Sequence, residues 1–198
     1  MALPIAHAAA GYLVHRATFE GRTSTGAWQC AAVFMFVANL PDFDFLVGFV
    51  LGFPGMVHRG VSHTVLAAVG FGIAAGAFAR WRWHERFAPA ALAFGVAYAS
   101  HLLIDYLTID SRPPAGGQFL WPFSDAYFGT SIPVFGEIYI DGRTREGFLR
   151  TVLAWPTVAV LARELVTAAA AIGAWQAFEW VRARTGALTL DDREEDLA

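Results

Sequence analysis

The sequence predicts an all-α integral membrane helical bundle, with a polar His/Asp site near one membrane face. Three observations point there. Of 198 residues, 56% are apolar, and mean hydropathy is +0.45. Only 16% are charged, against about 25% in an average soluble domain. Several apolar runs approach the roughly 20 residues that a helix needs to cross a hydrocarbon core about 30 Å thick. This composition excludes a disordered chain and a coiled coil. A net charge of −3 and a pI near 6.0 exclude a basic nucleic-acid-binding face, so no nucleic-acid partner is expected. The lone Cys30 excludes a disulfide framework and a Cys-rich metal site.

Residues 1–10 lack a cationic region ahead of an apolar stretch, so no cleaved signal peptide is expected. Residues 3–19 carry His7, His15 and Arg16 and read as a short buried or interfacial helix. Residues 20–26 form a loop. The apolar runs 28–37 and 45–57 are separated by Asn39-Leu40-Pro41-Asp42-Phe43-Asp44, and each is too short to cross a bilayer alone. Residues 64–79 are rich in Gly and Ala, as close-packed membrane helices are. They end in an aromatic and basic belt, Arg80 to Arg86. Residues 88–107 are the strongest spanning candidate. Residues 110–147 form a long polar loop. Residues 148–180 are helical again, with breaks expected at Pro156 and at Arg163-Glu164, two adjacent charges that cannot stack as an i, i+4 pair and so each need a separate partner or an interface. One domain, 1–185, is followed by an acidic tail, 186–198, for which disorder is expected.

Charge inside an apolar chain carries the functional information, because a mid-helix Asp costs about 2.5–3.5 kcal/mol on insertion-based scales. His101 and Asp105 are spaced i, i+4 on one helical face, where they can grip a metal ion or join two helices. Asp42 and Asp44 lie two apart beside Pro41, and adjacent carboxylates repel unless a cation or proton intervenes. Asp44 also suits a helix N-cap. His58-Arg59-Gly60-Val61-Ser62-His63-Thr64 opens into an apolar helix that Ser62 is placed to cap. Arg59 offers a planar fork for phosphate or carboxylate. His7 is a weaker candidate, placed where a site could recruit it; His15 and His84 accompany Arg and read as interfacial. Two antiparallel helices, one starting at His63 and the next ending near Asp105, bring His58, His63, His101 and Asp105 to one side, opposite the basic belt. Imidazole and carboxylate ligands without thiolate suit a divalent ion: zinc foremost, with manganese or iron as alternatives.

These segments, with Ser100-His101-Leu102-Leu103-Ile104-Asp105-Tyr106-Leu107-Thr108 and Leu120-Trp121-Pro122-Phe123 after them, resemble the YdjM-like family of membrane-bound metal-dependent hydrolases. The resemblance runs from His7 to Phe123, and an early His is part of it. Ser62 and Thr64 stand where Thr and Ser are commoner, and Phe45 stands where a His often follows the second Asp. More distantly, the ligand pattern is similar to zinc-dependent phospholipase C and the P1-type nucleases. The resemblance implies a membrane enzyme, in a bacterial-type inner membrane, that hydrolyses a phosphoester such as a phospholipid headgroup. His7, Asp42, His58, His63, His101 and Asp105 are then the metal ligands. Asp42 or Asp44 takes the proton from water, Arg59 clamps phosphate, and Asn39, Ser62 and Thr108 orient ligands. The competing reading is non-enzymatic, a transporter or adaptor holding metal with the same residues. A transporter should show interrupted spans in both halves, and here the conspicuous interruptions lie in the first.

Overall fold

The computed structural model describes residues 2–19, 26–52, 58–111 and 114–195, with side chains described as far as Thr185. Seven α-helices run in order: α1 (Pro4–Thr18), α2 (Ala27–Asn39), α3 (Asp44–Leu51), α4 (Val65–Trp83), α5 (Phe87–Tyr106), α6 (Arg145–Val152) and α7 (Trp155–Glu195). Among the described residues there is no strand, only isolated bridges at Thr108–Phe135 and Gly117–Phe128. Four stretches among the described residues are long and apolar enough to cross a membrane: Ala27–Leu51, Val65–Trp83, Phe87–Tyr106 and Trp155–Thr185.

In the first of these the sequence reading holds, since α2 and α3 are each too short to cross alone. The two apolar halves join into one run, because Leu40–Phe43 forms a 3-10 turn that carries α2 directly into α3. Pro41 sits in the first turn of that segment, where a missing N–H breaks no helical bond. Residues 53–57, the end of the second apolar run, lie outside the described residues.

Helix α4 is capped by Thr64 rather than Ser62: the Thr64 hydroxyl accepts from the Ala67 N–H at 3.1 Å. The helix continues into the basic belt as far as Trp83, and α5 returns antiparallel to it. Small residues set their separation. A Cβ at Gly72 would lie 2.6 Å from the Ala91 carbonyl oxygen, and one at Gly76 2.6 Å from the Ala91 Cβ. Backbones can approach so closely only where side chains are absent. Helix α1 packs against α2, α5 and α7.

The expected break at Arg163-Glu164 does not occur; α7 runs through it. The two charges leave the helix sideways toward separate partners. Arg163 donates to the Val134 carbonyl at 3.2 Å, while the buried Glu164 accepts from the backbone N–H groups of Leu3 at 2.6 Å and Ala6 at 3.3 Å. The helical ladder of α7 is left intact. The chain breaks instead at Leu153–Ala154, and Pro156 sits in the first turn of α7, where its fixed φ suits a helix start. The helix continues to Glu195, into the segment read from sequence as an acidic tail.

The outside is apolar. Val47, Val50, Val69, Ile73, Leu92 and Val166 are each more than half exposed, as surfaces that meet hydrocarbon must be. The interior holds the imidazoles and carboxylates.

A His/Asp cluster as candidate metal centre

The helix polarity delivers four segments to one end of the bundle. Helix α5 ends with His101 and Asp105, the 3-10 turn between α2 and α3 supplies Asp42 with Asp44 just after it, the 58–63 segment leads into α4, and α1 brings His7 beneath them. His7, His63 and His101 are essentially fully buried, and Asp105 is 5% exposed. His63 Nε2 lies 3.1 Å from His101 Nε2. Asp42 Oδ1 is 3.4 Å from each of these nitrogens, and Asp105 Oδ2 is 3.8 Å from each. His7 stacks on His101 with ring centroids 3.8 Å apart, and its Nε2 is 3.9 Å from Asp105 Oδ1. Three overlapping triads result, His7–His101–Asp105, Asp42–His63–His101 and Asp44–His58–His63, in each of which the candidate ligand atoms lie within 4.8 Å of one another.

The imidazoles are oriented from behind. His101 Nδ1–H donates to the Ala38 carbonyl at 2.9 Å. His58 Nδ1–H donates to Asp44 Oδ1 at 3.0 Å. On His63, Nδ1 faces Asp44 Oδ2 at 3.2 Å. A proton fixed on Nδ1 leaves Nε2 with its lone pair, the arrangement that metal-ligating histidines require. Phe45 stacks on His58 with centroids 3.8 Å apart and fixes the plane of that ring.

The donor set fits a divalent cation. Both ring nitrogens of His7, His58 Nε2, Asp42 Oδ1 and both Asp105 oxygens are buried without a hydrogen-bond partner. Such atoms are costly unless something satisfies them. Burial holds the His7 pKa down at about 3, with His101 beside it acting in the same direction; burial also lowers that of His58. Both therefore offer lone pairs at neutral pH. Burial disfavours the charged form of His63 too, yet the carboxylates of Asp42 and Asp44 facing it prevail and raise it to about 9. Three carboxylates in one cluster demand positive charge, and a divalent ion supplies it more fully than one imidazolium.

Not every sequence-derived candidate reaches the cluster. Ser62 does, donating to Asp44 Oδ2 at 2.8 Å, while Tyr98 donates to the Ser62 carbonyl at 2.8 Å. Thr108 does not: its hydroxyl donates to the Ile104 carbonyl of its own helix at 2.8 Å. Asn39 Nδ2 likewise donates to Met35 at 2.8 Å. Asp44 caps no helix; both its oxygens serve the cluster. Arg59 has a left-handed φ of 62°, rare for a residue with a side chain. Its guanidinium is held by Asp110 and, at 3.2 Å, by the Gly116 carbonyl, with Nε 3.9 Å from Asp105 Oδ2. Asp110 is the residue that sequence reasoning missed. Only the fold brings its loop back across Arg59, and Gly116 permits this because a Cβ there would lie 2.1 Å from the Phe128 carbonyl oxygen. Glu164, which the sequence marks as needing a partner apart from that of Arg163, anchors the helix that carries His7.

The family described as YdjM inner membrane protein matches residues 1–184, nearly the whole chain. The chain belongs to this family. As a YdjM family member it is a membrane protein, in keeping with the four described stretches that are long and apolar enough to span a bilayer. No curated protein matches the chain, and no solved structure does. The likeness to zinc-dependent phospholipase C and P1-type nucleases rests on ligand pattern alone.

Proposed function

We propose that this YdjM family member is a metal-dependent phosphoester hydrolase of a bacterial inner membrane, acting on lipid at the bilayer. The observation that carries the reading is the set of buried, unpartnered nitrogen and oxygen atoms of His7, Asp42, His58 and Asp105, converging with His63 and His101. These six residues would hold the ion or ions, zinc foremost. A divalent cation there supplies Lewis acidity, lowering the pKa of a bound water and polarising a phosphoryl oxygen.

The chain's own groups do the rest. Water oxygen bonds to phosphorus and the ester P–O bond breaks. One proton of the water goes to a carboxylate, and the carboxylic acid so formed returns that proton to the departing alkoxide oxygen, so that the carboxylate is regenerated. Asp44 is engaged at both oxygens by His58 and Ser62, which supports giving the proton-accepting role to Asp42. Asp44 positions the imidazoles. Arg59, fixed by Asp110 and the Gly116 carbonyl, stands as a permanent cation beside Asp105, suited to hold a phosphate oxygen.

The test is elemental analysis of the detergent-purified protein together with turnover of a panel of phosphomono- and phosphodiesters. The reading expects bound divalent metal and metal-dependent release of phosphate or alcohol. Arg59→Ala should keep the metal and raise KM at least ten-fold. A folded, metal-loaded protein that cleaves no phosphoester returns the cluster to the structural role of an adaptor or transporter.

A further inference from the structure

An apolar groove of about 790 Å³ runs between α1, the α2–α3 rod and α6. Its floor includes Leu3 and Ile138, and its wall includes Leu46 and Phe148. Among the described residues, Asn39 and Asp42 are its only polar side chains, and Asp42 belongs to the His/Asp cluster. Phe36, Phe43 and Leu46, on the rim, are about half exposed and belong to the spanning stretch Ala27–Leu51. The groove is thus continuous with the lipid-facing flank on one side and with the cluster on the other. Its volume lies within the roughly 300–1,000 Å³ of small-molecule sites.

We propose that this groove seats a hydrocarbon chain of the substrate, so that the enzyme acts on long-chain lipid phosphoesters and discriminates against soluble ones. This rests on the hydrolase reading of the cluster. Away from Asn39 and Asp42, a polar headgroup has no partner along this lining, whereas an acyl chain meets hydrocarbon. A chain that leaves the bilayer for the groove exchanges one apolar environment for another. Its transfer therefore adds little affinity, and the groove acts by placement. With the chain threaded past Leu46, the glycerol end reaches Asp42, and the phosphoester beyond it meets the cluster and Arg59. Positioning of this kind is expressed in kcat/KM, because reacting groups must be held in register for the chemical step.

The experiment uses the full-length protein in nanodiscs that contain phosphatidylglycerol with a photoreactive diazirine in its acyl chain. Crosslinked peptides are mapped by mass spectrometry, and the ratio of kcat/KM for dipalmitoyl over dibutyryl phosphatidylglycerol is measured. The proposal expects crosslinks concentrated on the 35–49 and 138–152 segments. Leu46→Trp and Val152→Trp, at groove-lining positions that are not themselves cluster residues, should cut those crosslinks at least five-fold and the long-to-short ratio at least ten-fold. Crosslinks spread over the outer faces of α4 and α7, or a ratio unmoved by both substitutions, overturn it. If neither lipid is cleaved, the hydrolase reading fails, while the crosslink map of the unaltered protein still decides whether the groove holds a chain.

Discussion

His101 is the pivot of the cluster. It belongs to two of the three triads, and its Nδ1 is committed to the Ala38 carbonyl. His101→Ala should therefore abolish metal binding, and Asp105→Asn should weaken it severely. Asp44→Asn differs in kind, since Asp44 acts through His58 and His63; an orienting carboxylate of this sort is worth about 10–100-fold in metal affinity. Titration against a chelator of known affinity measures both. An Asp44→Asn loss as deep as that of His101→Ala would make Asp44 a ligand instead. Glu164 works at a distance, receiving the first N–H groups of α1, where a helix dipole favours negative charge. Glu164→Leu leaves those buried donors without a partner, at about 1–3 kcal/mol each, so thermal unfolding should come markedly earlier. Glu164→Gln keeps an acceptor and should lie between. Metal content should follow stability in both, because His7 rides on the helix that Glu164 anchors.

At the level of elements, the α4–α5 hairpin determines whether His63 and His101 meet. Its closeness depends on Gly72 and Gly76, where an added Cβ would run into Ala91 itself rather than into a flexible side-chain tip. Gly76→Val should overpack the contact, costing about 1–3 kcal/mol, and prise the two imidazoles apart. Reduced metal content in protein that is still helical by circular dichroism would confirm the link; unchanged metal content and melting temperature would refute it. Helix α6 plays the corresponding part at the far end of α3. Arg145 donates to the carbonyls of Phe49 at 2.7 Å and Val50 at 2.6 Å, completing the open C-terminus of α3 and closing one wall of the groove.

Across the whole molecule, charge is divided between two ends. Arg16, Arg80, Arg82 and Arg86 lie at the end opposite the cluster, with Thr18 and Arg86 lining one shared cavity there; Arg22 lies outside the described residues. Arg145, on α3's C-terminal carbonyls, lies at the cluster end. The positive-inside rule weights short loops near span ends, from which the Arg80–Arg86 turn is expected in the cytoplasm and the cluster toward the outer leaflet. In a Cys30→Ser background, Ser131→Cys should react with an impermeant thiol reagent added to intact cells, and Glu85→Cys only after permeabilisation. The opposite pattern reverses the orientation.

The helical membrane class, the hairpin of α4 and α5, and the candidates His58, His63, His101, Asp42 and Asp105 were all legible in the sequence. Hydropathy reports span length directly, and charge in an apolar chain is costly enough to stand out. Local pattern also misled in places. Pro41 and the pair Arg163-Glu164 looked like breaks, yet a proline in a first turn sacrifices no bond, and charged side chains can reach neighbours without disturbing their own helix. Thr64 and Ser62 are two residues apart and chemically alike, so only the backbone path decided which one caps α4. The pairing of Asp110 with Arg59, of Glu164 with α1, and of Ala38 with His101 spans 51, 158–161 and 63 residues of chain. No local periodicity encodes such contacts. They exist because helix packing brings distant buried polar groups together, and each must then find its partner inside the protein, since hydrocarbon offers none.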